Sequence, residues 1–200
     1  MKKPIVYFVT GNKNKLDMFN KVAEQKIIVK SFEPEQEIQE LESRQVEEVV
    51  KDKLDKALHY FPEEDVFLFV TDVGMYIEQL NGRPGALIKR ETKKLFEGNF
   101  HKWCEYLDEE KNRNAYIQVI IAAKNKQGKE ILINHKVKGT IPKKPLPGPH
   151  GFAWDDIFVP EETLVKEELK GKSFSQIPEK EKLRIFMEPP IHKFKNKIIE

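Results

Sequence analysis

The chain has 200 residues, with 35 Lys+Arg against 33 Asp+Glu and a formal net charge of +2. That length suffices for one domain with a sizeable core, and the near balance of charge argues against a protein built to coat nucleic acid, which shows a basic excess. No apolar stretch approaches the ~20 residues of a membrane span, and the single cysteine, Cys104, rules out an intrachain disulfide, so a cytoplasmic protein without nucleic-acid or membrane partners is expected.

Met1-Lys2-Lys3-Pro4 opens like a secretory signal, but the apolar run after it is short and gives way at once to Thr10-Gly11-Asn12. That run, residues 5–9, reads as a buried strand. Residues 13–25 place Leu16, Phe19, Val22 and Ala23 at helical spacing. Residues 26–32 make a second short strand, and a polar acidic stretch, EPEQEIQELES, follows. Residues 44–60 read as a helix with Val46, Val49, Val50, Leu54, Ala57 and Leu58 on one face. Residues 65–70 form a strongly apolar strand that ends at Thr71-Asp72, and NGRPG at 81–85 is a turn. A helix is expected over 91–108. Residues 115–124 and 130–141 read as strands joined by a hairpin at Lys126-Gln127-Gly128. A Pro/Gly-rich loop covers 142–151, and one more helix is expected within 173–186, before Pro189-Pro190 breaks it. There is no internal repeat, low-complexity tract or linker, so residues 1–200 are read as a single domain. The early strand–helix alternation predicts an α/β fold, and the later hairpin predicts a mixed sheet.

Four stretches fall at strand ends or in loops, where α/β proteins place ligands. In Thr10-Gly11-Asn12-Lys13-Asn14-Lys15, a glycine admits an anion close to backbone N–H groups, a helix N-terminus adds favourable dipole charge, and lysines neutralise phosphate. The plainer alternative is that Thr10 or Asn12 caps the helix. Asp72 can hold a divalent ion or orient a water, or it is a turn residue; Glu37, Glu40 and Glu42 offer a second ligand or are solvated surface. Residues 148–156, GPHGFAWDD, set aromatics beside carboxylates, an arrangement that stacks a base and reads its edge or closes the core under a loop. EKEKLR at 179–184 is a charged helix start that also offers a lysine to phosphate.

In this order the stretches resemble the inosine triphosphate pyrophosphatase family, which removes noncanonical purine nucleoside triphosphates. The matching motifs are Thr10-Gly11-Asn12 with Lys15, the EIQ at Glu37, Glu48 with Lys53, VTDVGMYIEQLNGRPG with Asp72, FAWDDIF from Phe152, and EKEKLRI through Lys182. The sequence departs from the family pattern in four places. Thr71 stands for the first acid of an acidic pair, Ala153 for a glycine, Asp156 for a proline, and the Ser-His-Arg signature is absent, with FMEPP, including Met187-Glu188, in its place.

The resemblance implies an elongated, two-lobed single α/β domain with a mixed central sheet flanked by helices and a cleft for the substrate, usually as a homodimer. It implies Mg²⁺-dependent hydrolysis of ITP-, dITP- or XTP-type triphosphates to the monophosphate and pyrophosphate. Thr10, Gly11, Asn12, Lys15 and Lys53 would hold the triphosphate. Glu37 and Asp72 would hold Mg²⁺, with Asp72 acting on the attacking water and Val73 beside it at the substrate. Phe152 and Trp154 would stack the base, Asp155 would contact its edge, and Lys89 and Lys182 would contact phosphate. The missing Ser-His-Arg leaves an alternative, a nucleotide-binding relative with altered base specificity or no turnover.

Overall fold

In the computed structural model of the protein, residues 3–24, 26–108 and 111–200 are described. The sheet is mixed, in strand order β2-β1-β3-β5-β6-β7 with β4 on β3. β1 (Ile5–Val9) pairs in parallel with β2 (Ile28–Phe32) and with β3 (Phe67–Ile77). β4 (Pro84–Gly85) is antiparallel to β3, and β7 (Val159–Pro160) is antiparallel to β6 (Glu130–Thr140). β5 (Asn114–Lys124) lies between β3 and β6. The mixed α/β sheet read from the sequence is therefore the one the chain forms. The chain divides into two compact units, one of residues 1–72, 119–135 and 188–200, the other of 73–118 and 136–187.

The first unit is built on aromatic packing. The rings of Phe8 on β1 and Phe69 on β3 stack at 4.6 Å, Phe19 of α1 (Lys13–Val22) lies 4.9 Å from Phe8, and Phe194 lies 4.8 Å from Phe69. All four are fully buried. Tyr7 and Phe32 pack on Phe61, beyond α2 (Val46–Leu58), whose buried Val46, Val49, Val50, Leu54 and Ala57 follow helical spacing. β2 is an edge strand, and Asn20 seals part of it: its side-chain amide donates to the Val29 carbonyl and accepts from the Val29 N–H.

The second unit has its own core, centred on Trp103, Ile117, Val137, Phe158 and Phe174. Its one buried indole N–H is satisfied by Thr92 Oγ1 at 2.7 Å. Arg113 donates to four backbone carbonyls, those of Cys104, Leu107, Ile141 and Pro142.

Three expected boundaries are corrected. β3 does not stop at Val70; it runs through Thr71 and Asp72 to Ile77, because Gly74, Met75, Tyr76 and Ile77 are buried again beyond the polar pair. The helix expected over 91–108 is two helices, α3 (Ile88–Phe96) and α4 (Lys102–Tyr106). Glu97 and Gly98 take left-handed φ values of 54° and 91° and end α3, while the apolar spacing carries on past the break and hides it. In the tail, α5 (Glu179–Phe186) is followed at once by α6 (Glu188–Ile199). Pro189 and Pro190 occupy the first turn of α6, where a missing N–H costs nothing, so they start a helix rather than stop one.

Phe194 ties α6 into the first unit. Phe194→Ala is expected to cost about 3–5 kcal/mol, the range for a buried Phe truncated to Ala, read as a lower midpoint in urea at unchanged slope.

Candidate functional site

Two parallel neighbours in register deliver their next residues to one edge of the sheet. Val9 pairs with Phe32, so Thr10-Gly11 and Glu33 leave β1 and β2 side by side. β3, parallel to β1, carries Asp72 three residues beyond Phe69, the last residue paired to β1. Asp72 is thus a strand residue and partly exposed. Next to it, Thr71 Oγ1 is buried without a hydrogen-bond partner among the described residues.

A cleft of about 820 Å³ opens at this edge within the first unit, and Thr10, Gly11, Glu33, Glu37, Glu40 and Lys53 are among its lining residues. Of the residues picked from the sequence, Thr10, Gly11, Glu37 and Lys53 are thereby brought together. Asn12 caps α1: its side-chain oxygen accepts from the Lys15 N–H, and its own N–H donates to Thr10 Oγ1. The Asn12 cap of the plainer alternative is therefore present, and Gly11 and Lys15 remain exposed beside it. The Glu33 carboxylate covers Gly11 so closely that a Cβ there would lie 2.8 Å from its Oε2. Lys53 Nζ is 2.7 Å from Glu40 Oε1.

Glu33 was not visible as a site residue without strand register; reading the parallel ends of β1 and β2 together would have found it. The three carboxylates, Glu33, Glu37 and Glu40, outnumber the one ammonium, Lys53, and are of the oxygen type that suits a hard divalent cation. Among the described residues no group of three or more His, Cys, Asp or Glu side chains could hold a metal alone. A divalent ion at this cleft would draw on one or two of these carboxylates.

The second unit carries the other predicted residues. Asp155 is buried, and its Oδ2 accepts from Lys182 Nζ at 2.8 Å and from the Phe152 N–H at 3.0 Å. Lys182 also donates to the His150 carbonyl. Burial pushes the Asp155 carboxyl above its ordinary value, against the pull of Lys182 and of the Phe152 N–H. Phe152 is 77% exposed, whereas Trp154 is half-buried on the core with its ring 6.1 Å from Phe100. Trp154 thus shows the core-closing arrangement, and Phe152 the open face. Val73 is partly exposed on β3, and Lys89 is exposed in the first turn of α3. Sequence reading missed the groups around Asp156: Ser175 Oγ donates to its Oδ1, and His101 Nε2 donates to its Oδ2 at 2.6 Å. Nothing local marks them, since His101 and Ser175 lie 55 and 19 residues away.

The profile of the Ham1 family matches residues 6–187. An inosine triphosphate pyrophosphatase of Kluyveromyces lactis is 31% identical over 195 residues, covering 90% of this chain and 96% of its own. The inosine triphosphate pyrophosphatase of Saccharomyces cerevisiae is 26% identical, covering 87% and 94%. Among solved structures, the Ham1 protein of Staphylococcus aureus superposes with a TM-score of 0.77 at 19% identity over 98% of this chain and 97% of its own, a likeness of fold.

Because burial raises the Asp155 carboxyl, there is a pH interval above the ordinary aspartate value in which the folded chain holds a proton that the unfolded chain has released. The stability from this group is fully present below the ordinary aspartate value of about 3.9 and is lost as pH rises through the raised one. Asp155→Asn carries no such proton. Denaturation midpoints of both proteins, compared from about pH 4 to pH 7, are expected to shift in favour of the variant as pH rises. A difference that does not change with pH would show that burial does not dominate.

Proposed function

This chain belongs to the Ham1 family, and from that premise we propose that it is a nucleoside triphosphate pyrophosphohydrolase. It acts on noncanonical purine triphosphates of the ITP, dITP and XTP type, working with Mg²⁺ as a cytoplasmic homodimer. The observation that carries the reading is the cleft where Thr10 and Gly11 meet Glu37 and Lys53. The reaction breaks the α–β phosphoanhydride bond: a water oxygen bonds to the α-phosphorus, the bridging oxygen leaves with pyrophosphate, and the water's proton goes to a base.

In the first unit, N–H groups at Gly11 and the start of α1 face the phosphates, with Lys15 and Lys53 neutralising their charge. Glu37 and Asp72 would hold Mg²⁺, which when bound neutralises phosphate oxygens and acidifies a water. Asp72 sits on strand backbone rather than on a loop, which suits a group that must hold one orientation while it takes a proton from water. In the second unit, Phe152 offers an open ring face to the base and Asp155 an acceptor to its edge, while Lys182 orients Asp155. Lys89 serves as a further phosphate contact.

One observation bears on the base. Met187 is buried at 5% exposure, so the position in the Ser-His-Arg signature offers a thioether in a core and no strong hydrogen bond. Altered base preference is the second reading for that reason.

A pyrophosphate-release assay with Mg²⁺ across ITP, XTP, dITP, GTP and ATP tests the function. Preference for ITP or XTP is the expected result, and release from none of the five overturns it. Asp72→Asn is expected to lower kcat by about 10²–10⁴-fold, the range for a lost general base; near-parental kcat would remove Asp72 from that role.

A further inference from the structure

The loop that carries Phe152 and Asp155 differs from the family pattern at two places, Ala153 and Asp156, and the structure links them. Ala153 has φ of 53°, a left-handed conformation that glycine adopts freely and an L-residue with a Cβ does not. Strain of this kind persists only where the surroundings over-determine the backbone. Proline at the next-but-two position would stiffen the chain by fixing φ; Asp156 has no ring to do so. It has instead two side-chain bonds. Its Oδ1 accepts from Ser175 Oγ and its Oδ2 from His101 Nε2 at 2.6 Å.

Ser175 is fully buried and serves as the anchor. Its carbonyl accepts from the His150 N–H, and its N–H donates to the Asp155 carbonyl. Gly151 lies against this junction, where a Cβ would strike Ser175 Oγ and come within 2.9 Å of Asp156 Oδ1. The loop is therefore fastened on both sides of Phe152, by Lys182 through His150 and Asp155 and by Ser175 and His101 through Asp156.

We propose that Asp156, bonded to Ser175 and His101, is a positioning residue that holds the strained Phe152–Asp155 loop in its base-binding conformation. This rests on the base-binding reading of Phe152 and Asp155 given above. Asp156 touches no substrate in this account; it acts through the loop backbone, and Ala153 is what makes the fastening necessary.

The test is a kinetic cycle on the full chain with Phe152→Ala, Asp156→Asn, His101→Gln, and Asp156→Asn combined with Ala153→Gly. ITP is the substrate and inorganic tripolyphosphate the competitive inhibitor. Asp156→Asn and His101→Gln are expected to raise KM for ITP about tenfold with kcat within about twofold, and the Ki of tripolyphosphate to stay unchanged. Ala153→Gly is expected to restore most of the KM in the double variant, because glycine removes the strain that the carboxylate restrains. A rise in KM matched by the tripolyphosphate Ki overturns the proposal, since it would mean general loss of structure. KM raised in Phe152→Ala but unmoved in both Asp156→Asn and His101→Gln also overturns it and leaves the base-binding reading standing. KM unmoved in Phe152→Ala overturns that reading and the proposal with it. His101 is 46% exposed at its side chain, so His101→Gln keeps the test open if Asp156→Asn does not fold.

Discussion

Parallel strands in fixed register must hand their following residues to the same edge of the sheet. That constraint shapes the first unit. β1 pairs with β2 through Val9 and Phe32, and with β3 through Phe8 and Phe69, so Thr10-Gly11, Glu33 and Asp72 lie at the carboxyl ends of paired segments. Their placement depends on register, and register here is held by packing. Phe8, Phe19, Phe69 and Phe194 form one ring cluster. A one-residue slip of β1 would turn Phe8 away from it and lose several kcal/mol of burial. The placement of these strand-end residues is thereby set by apolar contacts in the core.

The charge on the cleft follows a different logic. The Glu40–Lys53 pair is short, but Glu40 is 64% exposed at its side chain, and exposed pairs of this kind contribute ~0–1 kcal/mol. Transferring Lys53 from Glu40 to a phosphate therefore costs little. Glu33 over Gly11 is held no more firmly by burial, since it is exposed. The cleft therefore keeps a surplus of carboxylates over its one ammonium, and its Glu40–Lys53 pair is weak enough to exchange.

What was legible in the sequence was whatever depended on local pattern. The apolar runs gave β1 and the β5–β6 hairpin, and the spacing Val46, Val49, Val50, Leu54, Ala57 gave α2. The Thr10-to-Lys15 loop and Lys53 were legible as motif residues, and the fold places Thr10, Gly11 and Lys53 at one cleft. What was not legible depended on competition between equal local signals. Thr71-Asp72 looks like a strand end because polar residues interrupt an apolar run, yet burial resumes at Gly74 and keeps the strand going. Glu97-Gly98 stops a helix whose apolar spacing persists into α4, and Pro189-Pro190 carries the same residue-level signal whether it ends a helix or begins one. Glu33, His101 and Ser175 needed long-range pairing, which no local window contains.

On the proposed placement of Asp155 at the base edge, base choice would follow from the surroundings of that carboxyl. Burial makes its charge costly, and donors lower that cost. Oδ2 already takes two, from Lys182 and the Phe152 N–H, and among the described residues none reaches Oδ1. A base edge that presents an N–H to Oδ1 adds a third donor; hypoxanthine, xanthine and guanine all carry one at N1. Adenine presents a lone pair at that position, so Oδ1 facing it would gain no donor and meet a second acceptor, the kind of mismatch that discriminates by more than a missing methylene does. The thioether of Met187, buried in the core, adds no opposing preference. On the proposed role of Asp155, rejection of adenine would need only a fixed, buried carboxylate, and Lys182 and the Phe152 N–H are the groups that fix this one.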